Sequence, residues 1–301
     1  MSSDEVENSK APLIEHLTEL RSRLIRSVIA FLIGMIISFY FWNPAFNFLT
    51  QPICQALELR NQDCSLILIK LQEGFFVAIK ISLLGGLVLS FPIIGHQLWR
   101  FVAPGLYRDE KNAFLPFLIA SPVMFMLGAT FAFYIVIPLA FDFFLGFQQM
   151  AEAAESGSVE AFATDAGITF QGSVAEYLSL TIKFILAFGL CFQLPVLLTL
   201  MGKAGLVSSR GLGQVRKYAV VGILVLAAVV TPPDIITQVI LFVVVYGLYE
   251  ISIWLVRGVE RRRNRRLKEM GLDPDEDEYA DDESGEADPV QEGKDTGKEA
   301  G

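Results

Sequence analysis

Between Ala113 and Phe147 this chain carries one charge, Asp142, in 35 residues. About 20 apolar residues in a row are enough to cross the hydrocarbon layer of a bilayer. A run this long therefore holds a span and an extension beyond it, with a bend expected near Pro138, where the ring removes a backbone donor. Five more apolar stretches accompany it. They run from about Leu24 to Trp42, Phe75 to Ile94, Tyr177 to Met201, Ala219 to Val230 and Ile235 to Val256. The fold class that follows is all-α, a polytopic membrane protein with six transmembrane helices. The fifth is short. Its twelve apolar residues make about 18 Å of helix against a core of about 30 Å. It meets the sixth at Thr231-Pro232-Pro233-Asp234, where two prolines forbid helix continuation.

The cations divide unevenly between the two sides. Eighteen Lys and Arg fall in the N-terminal segment, the second and fourth loops and the start of the tail, against two, Arg60 and Lys70, in the alternate loops. Cytoplasmic segments carry the excess of positive charge, so both termini are expected inside. Residues 1–23 then form a cytoplasmic amphipathic segment and 24–257 the membrane body. Residues 258–301 form a tail that is basic first and acidic afterwards. From Asp273 to Glu299 it holds thirteen acidic residues and two lysines, which accounts for the net charge of −9 of the whole chain. The part after Met270 is too polar to bury a core and is expected to be disordered.

Several polar groups stand where function would need them. Glu15, Glu19 and Arg23 recur at steps of four beside Leu13, Leu17, Leu20 and Leu24. This is an interfacial helix with a Glu19–Arg23 pair, or a carboxylate held at the bilayer edge for a water-borne partner. Glu110 sits beside Arg108 and Lys111 in the second loop, either as a first-turn acid favoured by the helix dipole or as a second such carboxylate. Phe101 opens that loop. Lys80, Asp142, Lys183, Gln193 and Glu250 lie inside apolar runs, where polar groups are functional candidates unless they snorkel to the surface. Gln193 precedes Pro195 and has two uses open to it: to bond the carbonyl that proline frees, or to serve as a polar station for cargo. Cys54 and Cys64 share the first outside loop, as a disulfide or as two free thiols.

Other function classes lose ground. The chain has no Gly-x-x-x-x-Gly-Lys-[Ser/Thr] phosphate loop, and its two histidines, His16 and His96, stand apart, so neither an ATPase nor a triad enzyme is expected. No cofactor, metal site or nucleic-acid contact is expected. An ion-coupled transporter would bring inverted repeats and a paired midplane charge, and neither is visible.

Four segments together resemble the TatC family, the multispanning subunit of the twin-arginine protein translocase. They are His16-Leu17-Thr18-Glu19-Leu20-Arg21-Ser22-Arg23, the Phe101-to-Glu110 loop with Ala103-Pro104-Gly105-Leu106-Tyr107, Phe188-Gly189-Leu190-Cys191-Phe192-Gln193-Leu194-Pro195, and Thr231-Pro232-Pro233-Asp234 with Gln238. The resemblance implies a protein of the bacterial inner membrane that docks twin-arginine signal peptides. With single-span TatA and TatB partners, in a multimeric complex within the lipid, it would pass folded cargo at the expense of the proton motive force. It implies a recognition surface at Glu19, Leu20, Arg21, Phe101 and Glu110. It implies partner-docking or translocation roles for Pro52 in the first outside loop, Gln193, Thr231, Asp234 and Gln238. Gln193 departs from the acid that many relatives carry, which removes any role there that needs a charge.

Overall fold

The computed structural model describes residues 3–60, 62–102, 115–155, 172–231 and 234–269. Regular structure among them is helical. In chain order the helices are α1 (Ser3–Tyr40), α2 (Trp42–Glu58), α3 (Glu73–Val102), α4 (Leu115–Phe131), a π-helical segment (Ala132–Val136), α5 (Ile137–Glu155), α6 (Val174–Cys191), α7 (Leu194–Lys203), α8 (Ser209–Gln214), α9 (Arg216–Val230) and α10 (Ile235–Glu269). The one extended contact among the described residues is a parallel bridge between Ile67 and Ser173.

Among the described residues five stretches are long and apolar enough to cross a membrane: Thr18–Tyr40, Glu73–Leu98, Phe117–Gly146, Val174–Lys203 and Ile235–Arg266. They coincide with the long apolar runs of the sequence. The short run is α9, whose 15 residues give about 22 Å of helix. Large apolar side chains remain exposed along α1 (Ile29, Ile33, Ile36) and α9 (Val225, Val229). Lipid tails, as apolar as these side chains, are their natural surroundings. The interior is built around α6, where Phe184 and Phe188 are fully buried. Phe91 of α3 stacks on Phe125 of α4 at 4.0 Å between ring centres.

Lipid gives helices no hydrophobic reason to associate, so close backbone approach has to supply the contact. α1 and α3 do this through glycine. A Cβ on Gly34 would stand 2.9 Å from the Gly86 carbonyl oxygen, and one on Gly86 would stand 2.8 Å from the Met35 backbone. Neither position has room for a side chain.

Two prolines leave visible marks. Pro138 cannot donate to the carbonyl of Tyr134, and its ring would strike it. The helix answers with the π segment one turn earlier, an extra residue that widens the turn. The third span is thus continuous from Leu115 to Glu155 through this adjustment. Before Pro195 the fourth span breaks: α6 ends at Cys191 and α7 starts at Leu194.

The first loop after α1 is mostly helix. Pro52, expected in a loop, lies within α2 and is buried. Cys54 and Cys64 are disulfide-bonded with Cα atoms 5.0 Å apart, which ties the end of α2 to the strap that follows. The Tyr177 hydroxyl of α6 donates to the Leu49 carbonyl of α2. Arg60, just past α2, donates to the Asp142 carboxylate and to the Asp142 carbonyl, each at 3.1 Å. The lone charge of the longest apolar run is therefore an anchor for the segment after α2. Glu73, the first residue of α3, is buried and accepts from the Ile69, Lys70 and Ala175 N–H groups and from the Ser173 hydroxyl. It joins the strap to the start of α6 beside the Ile67–Ser173 bridge.

Gly86→Val should force α1 away from α3. Overpacking of this kind costs about 1–3 kcal/mol. It should appear as a lowered midpoint of thermal unfolding in detergent, with Gly222→Val, a lipid-facing control with nothing within 4 Å of its would-be Cβ, close to unchanged.

Candidate functional site

The first cluster lies where α1 enters its apolar run. Glu19 and Arg23, one turn apart, form an ion pair through Oε1 and Nη2. The guanidinium is mostly buried, at 12% exposure of its side chain, whereas the carboxylate side chain keeps 37%. Arg23 is held because its Nη1 also reaches the Gln97 carbonyl of α3 at 3.5 Å. Its backbone carbonyl accepts from the Ser27 hydroxyl at 3.0 Å. The arginine therefore faces the α1–α3 seam. Among the described residues Glu19 has one oxygen engaged, and a carboxylate offers about four acceptor sites. Leu20 and Arg21 are exposed beside it. The backbone of Phe101 lies one helical turn beyond Gln97, at the end of α3. Glu110 lies outside the described residues.

The second cluster sits at the opposite end of the helices, around the α9–α10 hairpin. Asp234 is buried and caps α10: Oδ2 accepts from the Thr237 N–H at 2.7 Å and Oδ1 from the Thr237 hydroxyl at 2.6 Å. An acid in this place satisfies the orphan donors of a helix start and meets the positive end of its dipole. Thr231, also buried, returns its hydroxyl to the Ala227 carbonyl at the end of α9. Gln238 is half-buried on the first turn of α10. Beside Thr231 a cavity of about 550 Å³ opens between α5, α6 and the end of α9, with Ile53, Phe141, Tyr177, Glu176 and Lys183 on its wall. Pro52 belongs to this end through its neighbour Ile53.

Gln193 belongs to neither cluster. Its amide accepts from the Ser121 hydroxyl at 2.8 Å and donates to the Ser121 carbonyl at 2.9 Å. This reciprocal pair joins the break in the fourth span to the third span. A carboxylate could accept the hydroxyl but could not donate to the carbonyl. Among the other charges in apolar runs, Glu250 accepts from Arg216 of α9 at 2.9 Å and from the Tyr246 hydroxyl at 3.0 Å. Lys80 donates to the Ser179 hydroxyl at 2.7 Å.

The comparisons with known proteins bear on these clusters together. The family described as Sec-independent protein translocase protein (TatC) matches residues 15–243. That range takes in Glu19, Gln193 and the α9–α10 hairpin. The chain belongs to the TatC family. It is 47% identical over 254 residues to a Sec-independent protein translocase protein TatC of Magnetococcus marinus, covering 84% of this chain and 87% of that one. It is 34% identical over 255 residues to the protein of the same name from Escherichia coli K12, at 84% and 92% coverage. A crystal structure described as the twin arginine translocase receptor TatC superposes with a TM-score of 0.66 at 39% identity, covering 81% of this chain and 99% of that one.

Some residues that shape this TatC chain could not be singled out from sequence. Ser121 is one small polar residue in a long apolar run, and only its place before Pro122 hints at a helix that needs a partner. Glu73 reads as an ordinary first-turn acid, yet it gathers four donors. Arg60 and Asp142 are 82 positions apart, and nothing local announces their pairing.

Gln193→Leu should remove both bonds to Ser121 and leave a buried hydroxyl to find another acceptor, at about 1–3 kcal/mol. Gln193→Glu should cost less, because it keeps the acceptor. Thermal unfolding midpoints of the two variants in detergent, in the order wild type, Glu, Leu, are the check.

Proposed function

We propose that this chain is the receptor subunit of a twin-arginine translocase. It would cross the cytoplasmic membrane of a bacterium six times with both termini inside, and work with TatA- and TatB-type single-span partners on the proton motive force. The observation that carries the reading is the half-open Glu19 carboxylate. It is fixed by Arg23 to the end of α3, from which the loop containing Glu110 departs. A guanidinium pairs with a carboxylate through two parallel charge-assisted bonds. Two consecutive arginines call for two carboxylates, and a lysine, a point charge, would not reproduce the fork. Glu19 is the first carboxylate of the clamp and Glu110 the second. Leu20, Arg21 and Phe101 line the approach.

The opposite cluster suits a different task. Asp234 caps the start of α10 and Thr231 closes the end of α9, and α9 leaves its apolar flank exposed. In this reading Pro52, Thr231, Asp234 and Gln238 set the place where a partner helix packs. Gln193 keeps the third and fourth spans in register while it does so. Against an ion-coupled transporter, Asp142 is neutralised by Arg60 and Glu250 by Arg216, so neither acid stands as an open charge.

Glu19→Ala and Glu110→Ala should each weaken binding of a twin-arginine signal peptide to the membrane-inserted protein by about tenfold to a hundredfold, the loss of one charge-assisted pair. Replacing the peptide's arginine pair by two lysines should weaken binding to wild type similarly. Photocrosslinking of such a peptide to the protein in bilayers is the measurement, and undiminished crosslinking to both variants would remove the two acids from the site.

A further inference from the structure

α10 outlasts the membrane. Among the described residues its last buried side chain is Val256, which lies where a Cβ on Gly202 of α7 would be only 2.7 Å from it. The helix then continues to Glu269. Between Arg257 and Glu269 it carries seven Lys and Arg against two acids. One face of this extension is occupied. Glu260, one turn past Val256, receives the Ser209 N–H and hydroxyl at the start of α8. Arg263, a turn further on, passes 3.4 Å from the place of a Cβ on Gly205. The Tyr249 hydroxyl, two turns before Val256, holds the Leu212 carbonyl of α8 at 2.8 Å. The far side is a row of cations. Arg257, Arg261, Arg265 and Lys268 follow at steps of four, four and three, with Arg262 alongside, and all five are exposed. Among the described residues none of the five has an ion-pair partner.

Such a row is unfavourable without a counter-charge, because like charges one turn apart repel. A lipid surface reaches only its beginning. Lys268 stands twelve residues past Val256, about 18 Å along the helix axis, which is about twice the screening length at physiological salt. What does reach the whole row is the chain itself. Thirty-two residues follow Glu269. They contain Asp275-Glu276-Asp277-Glu278 and Asp281-Asp282-Glu283 within a segment holding thirteen acids and two lysines. Gly271 and Pro274 stand between the helix and the first acidic run, where a reversal of the chain needs residues that do not continue a helix. About six extended residues cover 18 Å, so the segment from Asp275 to Glu283 is long enough to lie back along the row. A tether this short gives an effective concentration of the order of millimolar, which favours the tail over acidic partners in solution.

We infer that the acidic C-terminal segment of this chain docks on the basic outer face of α10 beyond Val256, as an intramolecular counter-charge displaced by salt. The bound tail would keep other polyanions, nucleic acid and anionic headgroups among them, off a basic surface at the rim of the bundle.

The test uses the full chain in nanodiscs of zwitterionic lipid, with Cys191→Ser and spin labels at Asn264→Cys and Ser284→Cys. A free tail of about 15 residues past the helix would give a broad distance distribution centred at about 20–30 Å. A docked tail should give a narrow one below about 20 Å in about 0.05 M NaCl, broadening in about 1 M NaCl as the charges are screened. The triple variant Arg261→Glu, Arg262→Glu, Arg265→Glu should be broad at both salts, with its thermal midpoint reporting that the bundle is intact. A distribution already broad at low salt in the parent protein and unchanged in the triple variant would overturn the inference. A narrow one insensitive to salt and to charge reversal would overturn it equally.

Discussion

A peptide group in hydrocarbon finds no water to bond, so each point where a spanning helix is interrupted needs a donor or acceptor from elsewhere in the protein. Three places among the described residues show how this chain meets that demand, each with a different solution. At Pro138 the backbone itself adjusts by inserting a π turn. At the break before Pro195 a side-chain amide crosses to the third span and exchanges two bonds with Ser121. At the last hairpin Asp234 caps the new helix while Thr231 closes the old one. Of the three, the break before Pro195 is also a point at which two spans are joined.

The same requirement separates the two ends of the molecule by character. The end with α2 is stapled: a disulfide, the Arg60–Asp142 pair, the Tyr177–Leu49 bond and the four donors around Glu73 act within one small region. Among the described residues the other end is tied by side-chain bonds: Arg23–Gln97 between α1 and α3, Glu260–Ser209 and Tyr249–Leu212 between α10 and α8, and Arg216–Glu250 between α9 and α10.

The spans were legible because hydrophobic run length is a direct consequence of bilayer thickness, and the run boundaries from Phe75, Tyr177 and Ile235 lie close to the helix boundaries found. The short fifth helix was legible for the same reason. The Glu19–Arg23 pair was legible because its partners are one helical turn apart. Long-range partners were not. Asp142 looked like a charge stranded in an apolar run because Arg60 is reached only through the fold. Gln193 looked like a proline companion or a cargo station because Ser121 belongs to another span. The first outside loop hid a 17-residue helix, since Pro52 and several polar residues weaken the apolar periodicity that would announce one.

The π turn between Ala132 and Val136 has a consequence for how the third span relates to its neighbours. One residue more than an α-helix requires is lodged there, so the faces of α4 and α5 are set independently along what is otherwise a single rod. Wound as α-helix throughout, the same residues would make a span only about 1.5 Å longer but would turn everything beyond this point by about 100°. Phe141 would leave Tyr177, whose ring centre it meets at 4.9 Å, and Asp142 would swing away from Arg60. The turn therefore acts as the phase setting of the helix: it decides which residues of the outer half look inward, at almost no expense in length.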